Sequence, residues 1–223
     1  MSIITSRSIQ DYLKQIYKLN QDGGAASTTD LATRLNVAPA SVTGMLQRMA
    51  SANPPLVVYK KHQGVTLTEA GQRQALEVIR RHRLLESYLV SSLGYTWDEV
   101  HEEACRLEHD ISEDFESRIA QALGNPSCDP HGDPIPSVDL TMPAESTRQL
   151  SSLRTGEQAT VRRVSGEEPA LLRYLSQIGL VPGKNVIILD YSAFDGNLTL
   201  QVEGQSSPLV LGTAVTSQVF VEV

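Results

Sequence analysis

The chain has 223 residues, 40% of them hydrophobic and 20% charged, and a formal net charge of −7. That length permits one or two domains with ample cores. The composition is that of an ordinary soluble protein, and no apolar run is long enough to span a bilayer. MSIITSRSIQ lacks the apolar core of an export signal, so a cytoplasmic protein is expected, with Cys105 and Cys128 as free thiols. The net charge hides an asymmetry. Residues 1–73 carry eight basic and four acidic side chains, whereas the remainder carries 11 and 22. A basic head on an acidic body suggests a polyanion bound at one end and cations at the other.

In chain order, residues 7–20 place Ile9, Tyr12, Leu13, Ile16 and Tyr17 at helical spacing. QDGGAAS breaks that pattern, and Ser27 or Thr28 can cap a second helix with Asp30 in its first turn. Asn36-Val37-Ala38 reads as a tight turn. A third helix opens at Pro39, with Val42, Met45, Leu46 and Met49 facing inward. Two β-rich runs, Leu56–Tyr59 and Val65–Leu67, then flank a basic tip of Lys60, Lys61, His62, Gln63 and Gly64. Helix, short helix, turn, helix and basic hairpin make a winged helix-turn-helix.

The helix opening at Pro39 is expected to enter a major groove. Ala38, Pro39 and Ala40 permit close approach, and Ser41 and Thr43 offer hydroxyls to phosphates or base edges. Arg48, Lys60 and Lys61 would neutralise the backbone. That helix has no Arg or Asn at its start, so shape and apolar contacts should carry more of the specificity.

The middle of the chain holds RRHRLLE and VHEEACRLEH. His82 and Glu86 stand one turn apart. His101, Cys105, Glu108 and His109 stand at i, i+4, i+7 and i+8, so they share one face of one helix. Imidazole, thiolate and carboxylate bind first-row divalent metals, and two metal centres are expected. Solvated helix acids would explain any one of these residues, but not a cysteine flanked by His, Glu and His. Apolar stripes beside them (Leu84, Leu85, Leu89 and Leu93, with Phe115 and Ile119) suit a core and a two-fold interface. GNPSCDPHGDPIP then stops the helices with turn-forming residues. Short strands ATVRRV, NVIIL, LTLQV, SPLVL and VFVEV follow, with one helix near Pro169–Ile178, which reads as a small five-stranded barrel. The expected divisions are 1–73 for DNA binding, 74–140 for metal and dimerisation, a linker over 141–155, and a barrel over 156–223.

This order of elements, the paired H-x-x-x-E and H-x-x-x-C-x-x-E-H motifs and GDPIP resemble the diphtheria toxin repressor family of dimeric, metal-sensing transcription factors. The resemblance covers the whole chain and is densest over residues 78–137. It implies an α+β multidomain fold with a winged helix, a helical metal domain and an SH3-like domain. It also implies one metal site of Asp11, Cys105, Glu108 and His109 and a second built on His82, Glu86 and His101. Glu168 matches a family glutamate that reaches the second site, although its glutamine partner is replaced here by Leu171. Some manganese sensors of the family instead complete that site with a Cys and a His, which here would be Cys128 and His131; both arrangements remain open.

Iron-sensing members resemble one another in having methionine where this chain has Asp11, and a carboxylate is the harder ligand. Mn(II) is therefore expected, with Fe(II) the competitor. The expected function is a metal-activated repressor that binds a palindromic operator as a homodimer. The chain shows no nucleophile elbow, phosphate loop or paired catalytic acids, so no small-molecule substrate is expected; a metalloenzyme is the rival reading.

Overall fold

The computed structural model describes residues 6–21, 23–144, 148–166 and 168–223. It forms two compact units. The first comprises residues 1–82, 108–111 and 136–142; the second comprises 83–107, 112–135 and 143–223.

The first unit begins with α1 (Arg7–Gln21), α2 (Thr28–Leu35) and α3 (Pro39–Ala50). The α2 helix starts where the Ser27 hydroxyl accepts the Asp30 N–H at 3.0 Å. It stops at Asn36, whose left-handed φ of 52° ends the ladder, and Pro39 then opens α3 with φ already set. Tyr12, Leu13 and Ile16 of α1 bury against Leu31, Val42, Leu46 and Met49. Each such side chain contributes about 1.5–3 kcal/mol relative to exposure. The wing is an antiparallel pair, β1 (Val57–Lys60) and β2 (Gly64–Leu67), in register Val57↔Leu67 through Lys60↔Gly64. Gly64 has a φ of 95°, and a Cβ there would meet Ala26 O at 2.8 Å, because Ala26 bridges to Val65. The long helix α4 (Glu69–Leu93) begins in this unit and passes into the second after His82.

In the second unit the remainder of α4 is followed by α5 (Val100–Leu107) and α6 (Glu113–Ala122), the latter capped by Ser112. After the loop over residues 123–135 comes an antiparallel sheet of β3 (Gln158–Val164), β4 (Asn185–Tyr191), β5 (Leu198–Val202), β6 (Leu209–Leu211) and β7 (Val219–Glu222), in the order β6-β5-β4-β3-β7. The helix α7 (Pro169–Gln177) sits where the sequence places it, and a four-residue α8 (Thr213–Thr216) precedes β7. Val161, Leu172, Leu175, Val186, Leu198, Leu200 and Val219 fill the core, and Trp97 packs against it.

Two features differ from expectation. The α5 helix ends at Leu107, so Glu108 and His109 lie in a turn beyond it and do not continue the stripe of His101 and Cys105. Leu150 and Leu153, inside the expected linker, are fully buried in the core shared with the sheet. Residues 145–147 of that linker lie outside the described residues.

Candidate metal centre and nucleic-acid interface

In the first unit, α1 and the turn after α5 bring Asp11, Glu108 and His109 together, with one ligand atom from each within 4.8 Å of the others. His109 Nε2 lies 3.0 Å from Asp11 Oδ1 and 3.5 Å from Glu108 Oε1. Its other nitrogen, Nδ1, donates to Gln10 Oε1 at 2.6 Å. That bond fixes the tautomer and turns the Nε2 lone pair toward two carboxylate oxygens. Three acceptors converging in this way suit a hard or borderline dication.

Glu108 is 1% exposed, and its neighbours explain how a charge survives there. Its Oε2 is 2.5 Å from His82 Nδ1, and Lys14 Nζ donates to Oε1 at 3.0 Å and to Oε2 at 2.7 Å. Burial works to raise its pKa, but the His82 hydrogen bond and the Lys14 charge outweigh it and bring Glu108 down to about 2. His82 therefore lies with Glu108 and Lys14 in the first unit.

A second group gathers in the second unit. Glu86 Oε1 is 3.0 Å from His101 Nδ1, and Glu86 Oε2 is 3.7 Å from His131 Nδ1. Glu86, Asp129 and His131, all buried, again offer one ligand atom each within 4.8 Å. His131 Nε2 donates to Trp97 O at 2.7 Å, so the Nδ1 side faces the carboxylates. The indole of Trp97 stacks on the same imidazole, with centroids 5.9 Å apart and planes at 21°. Asp129 Oδ1 accepts the N–H groups of His131 and Asp133 at 2.8 and 3.0 Å, which locks the loop in shape. Burial pushes the Asp129 carboxyl up, reinforced by Asp133 and Glu86. Burial opposes the charge on His131, but the Glu86 hydrogen bond and charge, with Asp129, raise it to about 9. Groups this electron-rich take up protons when no cation neutralises them.

Of the residues expected in the second site, Glu86 and His101 come together. Cys128 is exposed, its place in the group taken by buried Asp129, while His131 belongs to it. Cys105 is half-buried in the second unit, with Sγ 3.7 Å from His101 Nε2. Glu168 is an exposed residue at the start of α7 and belongs to no three-donor group among the described residues; its neighbour Glu167 lies outside them. Sequence reasoning missed Gln10, Trp97 and Asp129 here. Asp129 left one signal, an acid inside C-D-P-H followed by glycine.

The residues expected to face nucleic acid lie on or beside α3 and at the wing tip. Ala38, Pro39, Ala40, Ser41 and Arg48 are exposed on α3, as are Lys60 and Lys61 at the wing tip. Thr43 is half-buried and donates its hydroxyl to Pro39 O at 3.2 Å. Gln47 shares the exposed face and adds an amide suited to a base edge. In α4 and α6, Leu84, Leu85, Leu89 and Ile119 are buried, while Leu93 and Phe115 remain exposed.

Comparison with known proteins matches all three segments of the chain. Residues 4–65 match the DNA-binding domain of the iron dependent repressors, residues 68–137 their metal binding and dimerisation domain, and residues 148–223 the FeoA domain. The iron-dependent repressor IdeR of Mycobacterium tuberculosis is 33% identical over 88% of this chain and 89% of its own. The diphtheria toxin repressor of Corynebacterium diphtheriae is 29% identical over 93% and 94%. A solved manganese-dependent transcriptional repressor in complex with manganese superposes with a TM-score of 0.85 at 38% identity, covering 96% of this chain and 98% of that one. No described helix is long and apolar enough to cross a membrane. With all three of its segments matched in order, the chain belongs to the diphtheria toxin repressor family of metal-dependent, DNA-binding transcriptional repressors.

Proposed function

We propose that this protein is a Mn(II)-activated repressor whose homodimer binds a palindromic operator in the cytoplasm. The observation that carries the reading is the Asp11, Glu108 and His109 group. It joins α1 of the DNA-reading head to the turn beyond α5. A bound divalent ion supplies the positive charge that three facing lone pairs lack. Asp11 then holds α1 against the turn, His109 keeps its orientation through Gln10, and α3 is presented in one pose. Occupancy shifts the equilibrium only through such a difference between two states.

Glu86, Asp129 and His131 form the proposed second site, with His101 beside Glu86 and the Cys105 thiol beside His101. Glu168 is left as a surface acid. Asp11, Glu86, Glu108 and Asp129 make an oxygen-rich donor set, which favours Mn(II). Fe(II) is the second reading, favoured by the His101–Cys105 pair and by IdeR, which is named for iron. Exposed Leu93 and Phe115 are proposed as part of the two-fold contact. DNA-facing roles fall to Ala38, Pro39, Ala40, Ser41, Thr43, Arg48, Lys60 and Lys61, with Gln47 added.

The test is operator binding titrated anaerobically with Mn(II) and with Fe(II), each reversed by chelator. Asp11→Ala should abolish metal-dependent binding and leave the dimer intact by light scattering. Asp11→Met should move preference toward Fe(II). Operator affinity indifferent to metal would overturn the reading.

A further inference from the structure

We propose that Lys14 is a resident counter-cation that holds Glu108 in the metal-free protein and must release it when the first site fills. The proposal rests on the reading of Asp11, Glu108 and His109 as that site. Lysine on α1 would ordinarily face water, yet Lys14 is 4% exposed. Its ammonium makes three contacts, to Glu108 Oε1, Glu108 Oε2 and His82 Nδ1 at 3.0, 2.7 and 3.1 Å. Two of its three N–H donors serve the carboxylate, and the third contact is a close approach only, because His82 Nδ1 gives its own hydrogen to Glu108 Oε2.

Both oxygens of Glu108 are thus engaged by a cation before any metal arrives. Oε1, the oxygen nearer His109, is the one a metal shared with Asp11 and His109 would draw on. A dication and an ammonium on one buried carboxylate repel each other, and water is too scarce there to screen them. Lys14 therefore has two effects of opposite sign. It keeps a buried carboxylate paired while the site is empty, and it competes with the incoming ion. It is a positioning residue acting through Glu108, and it makes the sensor less sensitive than its donor set alone would be. Apparent affinity falls with the fraction of molecules in which the carboxylate is free, so a latch leaving about one in ten free would lower it about tenfold.

The test is a Mn(II) isotherm by calorimetry on the full chain. Lys14→Gln should bind Mn(II) about tenfold more tightly at the first site. Metal-free, it should melt at a lower temperature than wild type and gain more from Mn(II). Lys14→Arg, which keeps the charge, should stay close to wild type. Unchanged or weakened affinity in folded Lys14→Gln would overturn the proposal. A measurement on wild type covers the case in which the variant does not fold. The Lys14 ammonium resonance, protected in metal-free protein, should lose its protection as diamagnetic Cd(II) fills the site, and an unaltered resonance at saturation overturns the proposal. If Asp11→Ala and Glu108→Gln leave every Mn(II) site intact, the reading of the first site itself fails. If they remove one and Lys14→Gln changes nothing, only the latch fails.

Discussion

Glu108→Gln keeps the shape of the side chain and removes its charge, so its cost should depend on acidity in a way that can be computed. The carboxyl sits at about 2 in place of an ordinary 4.5. At about 1.4 kcal/mol per tenfold change in proton affinity, its ionised form therefore stabilises the metal-free fold by about 3 kcal/mol. A depressed carboxyl contributes fully above its unfolded value and loses that contribution as pH falls toward its folded one. Wild type and Glu108→Gln should accordingly differ by a constant amount from pH 7 down to about 5, and the gap should then close by roughly 2 kcal/mol by pH 3. Urea unfolding with chelator present, followed by far-ultraviolet circular dichroism at each pH, measures the gap directly. A gap that stays level between pH 5 and pH 3 would refute the account of Lys14 and His82 holding Glu108 ionised.

Two other outcomes follow from the second unit. His131 is raised to about 9, so its contribution to the metal-free fold should be complete below pH 6.5 and lost as pH climbs through 9. Filling the second site near pH 7.5 should therefore expel about one proton per chain, read by calorimetry in buffers of different ionisation enthalpy, and His131→Gln should abolish it. Gly132→Ala should cost about 2 kcal/mol or more, because its φ is 89° and its Cβ would meet the Arg162 carbonyl oxygen at 1.9 Å. Thermal melting checks that, and a wild-type melting temperature would contradict the packing of the Asp129–Asp133 loop against β3.

Most of the architecture was legible because each element carried its own punctuation. Ser27 with Asp30, Asn36, and Pro39 mark the ends of α2 and the start of α3 in the sequence itself. The strands announced themselves by β-branched runs between glycines. What could not be read was set by contacts across the fold. Helical spacing carries His101 through His109 on one face, but Glu108 and His109 leave the helix to reach Lys14, Asp11 and Gln10, and local periodicity has no means of registering those partners. Lys14 looks like solvent-facing charge beside Leu13 until a buried carboxylate is placed opposite it. Cys128 attracted attention because cysteine is a familiar ligand. The turn instead projects its neighbour Asp129 inward, where that side chain also binds two backbone N–H groups of its own loop. The pairing of Asp11 with His109 as proposed ligands came through the family resemblance, since nearly a hundred positions separate them in the chain.

The stacking of Trp97 on His131 means that the protein carries its own optical gauge. It is the sole indole in the chain, and it lies against a proposed ligand of the second group. Its emission should dim when paramagnetic Mn(II) enters that group and respond differently to closed-shell Zn(II), with no dye attached. Loading of this centre can thus be followed in real time, separately from whatever the operator reports.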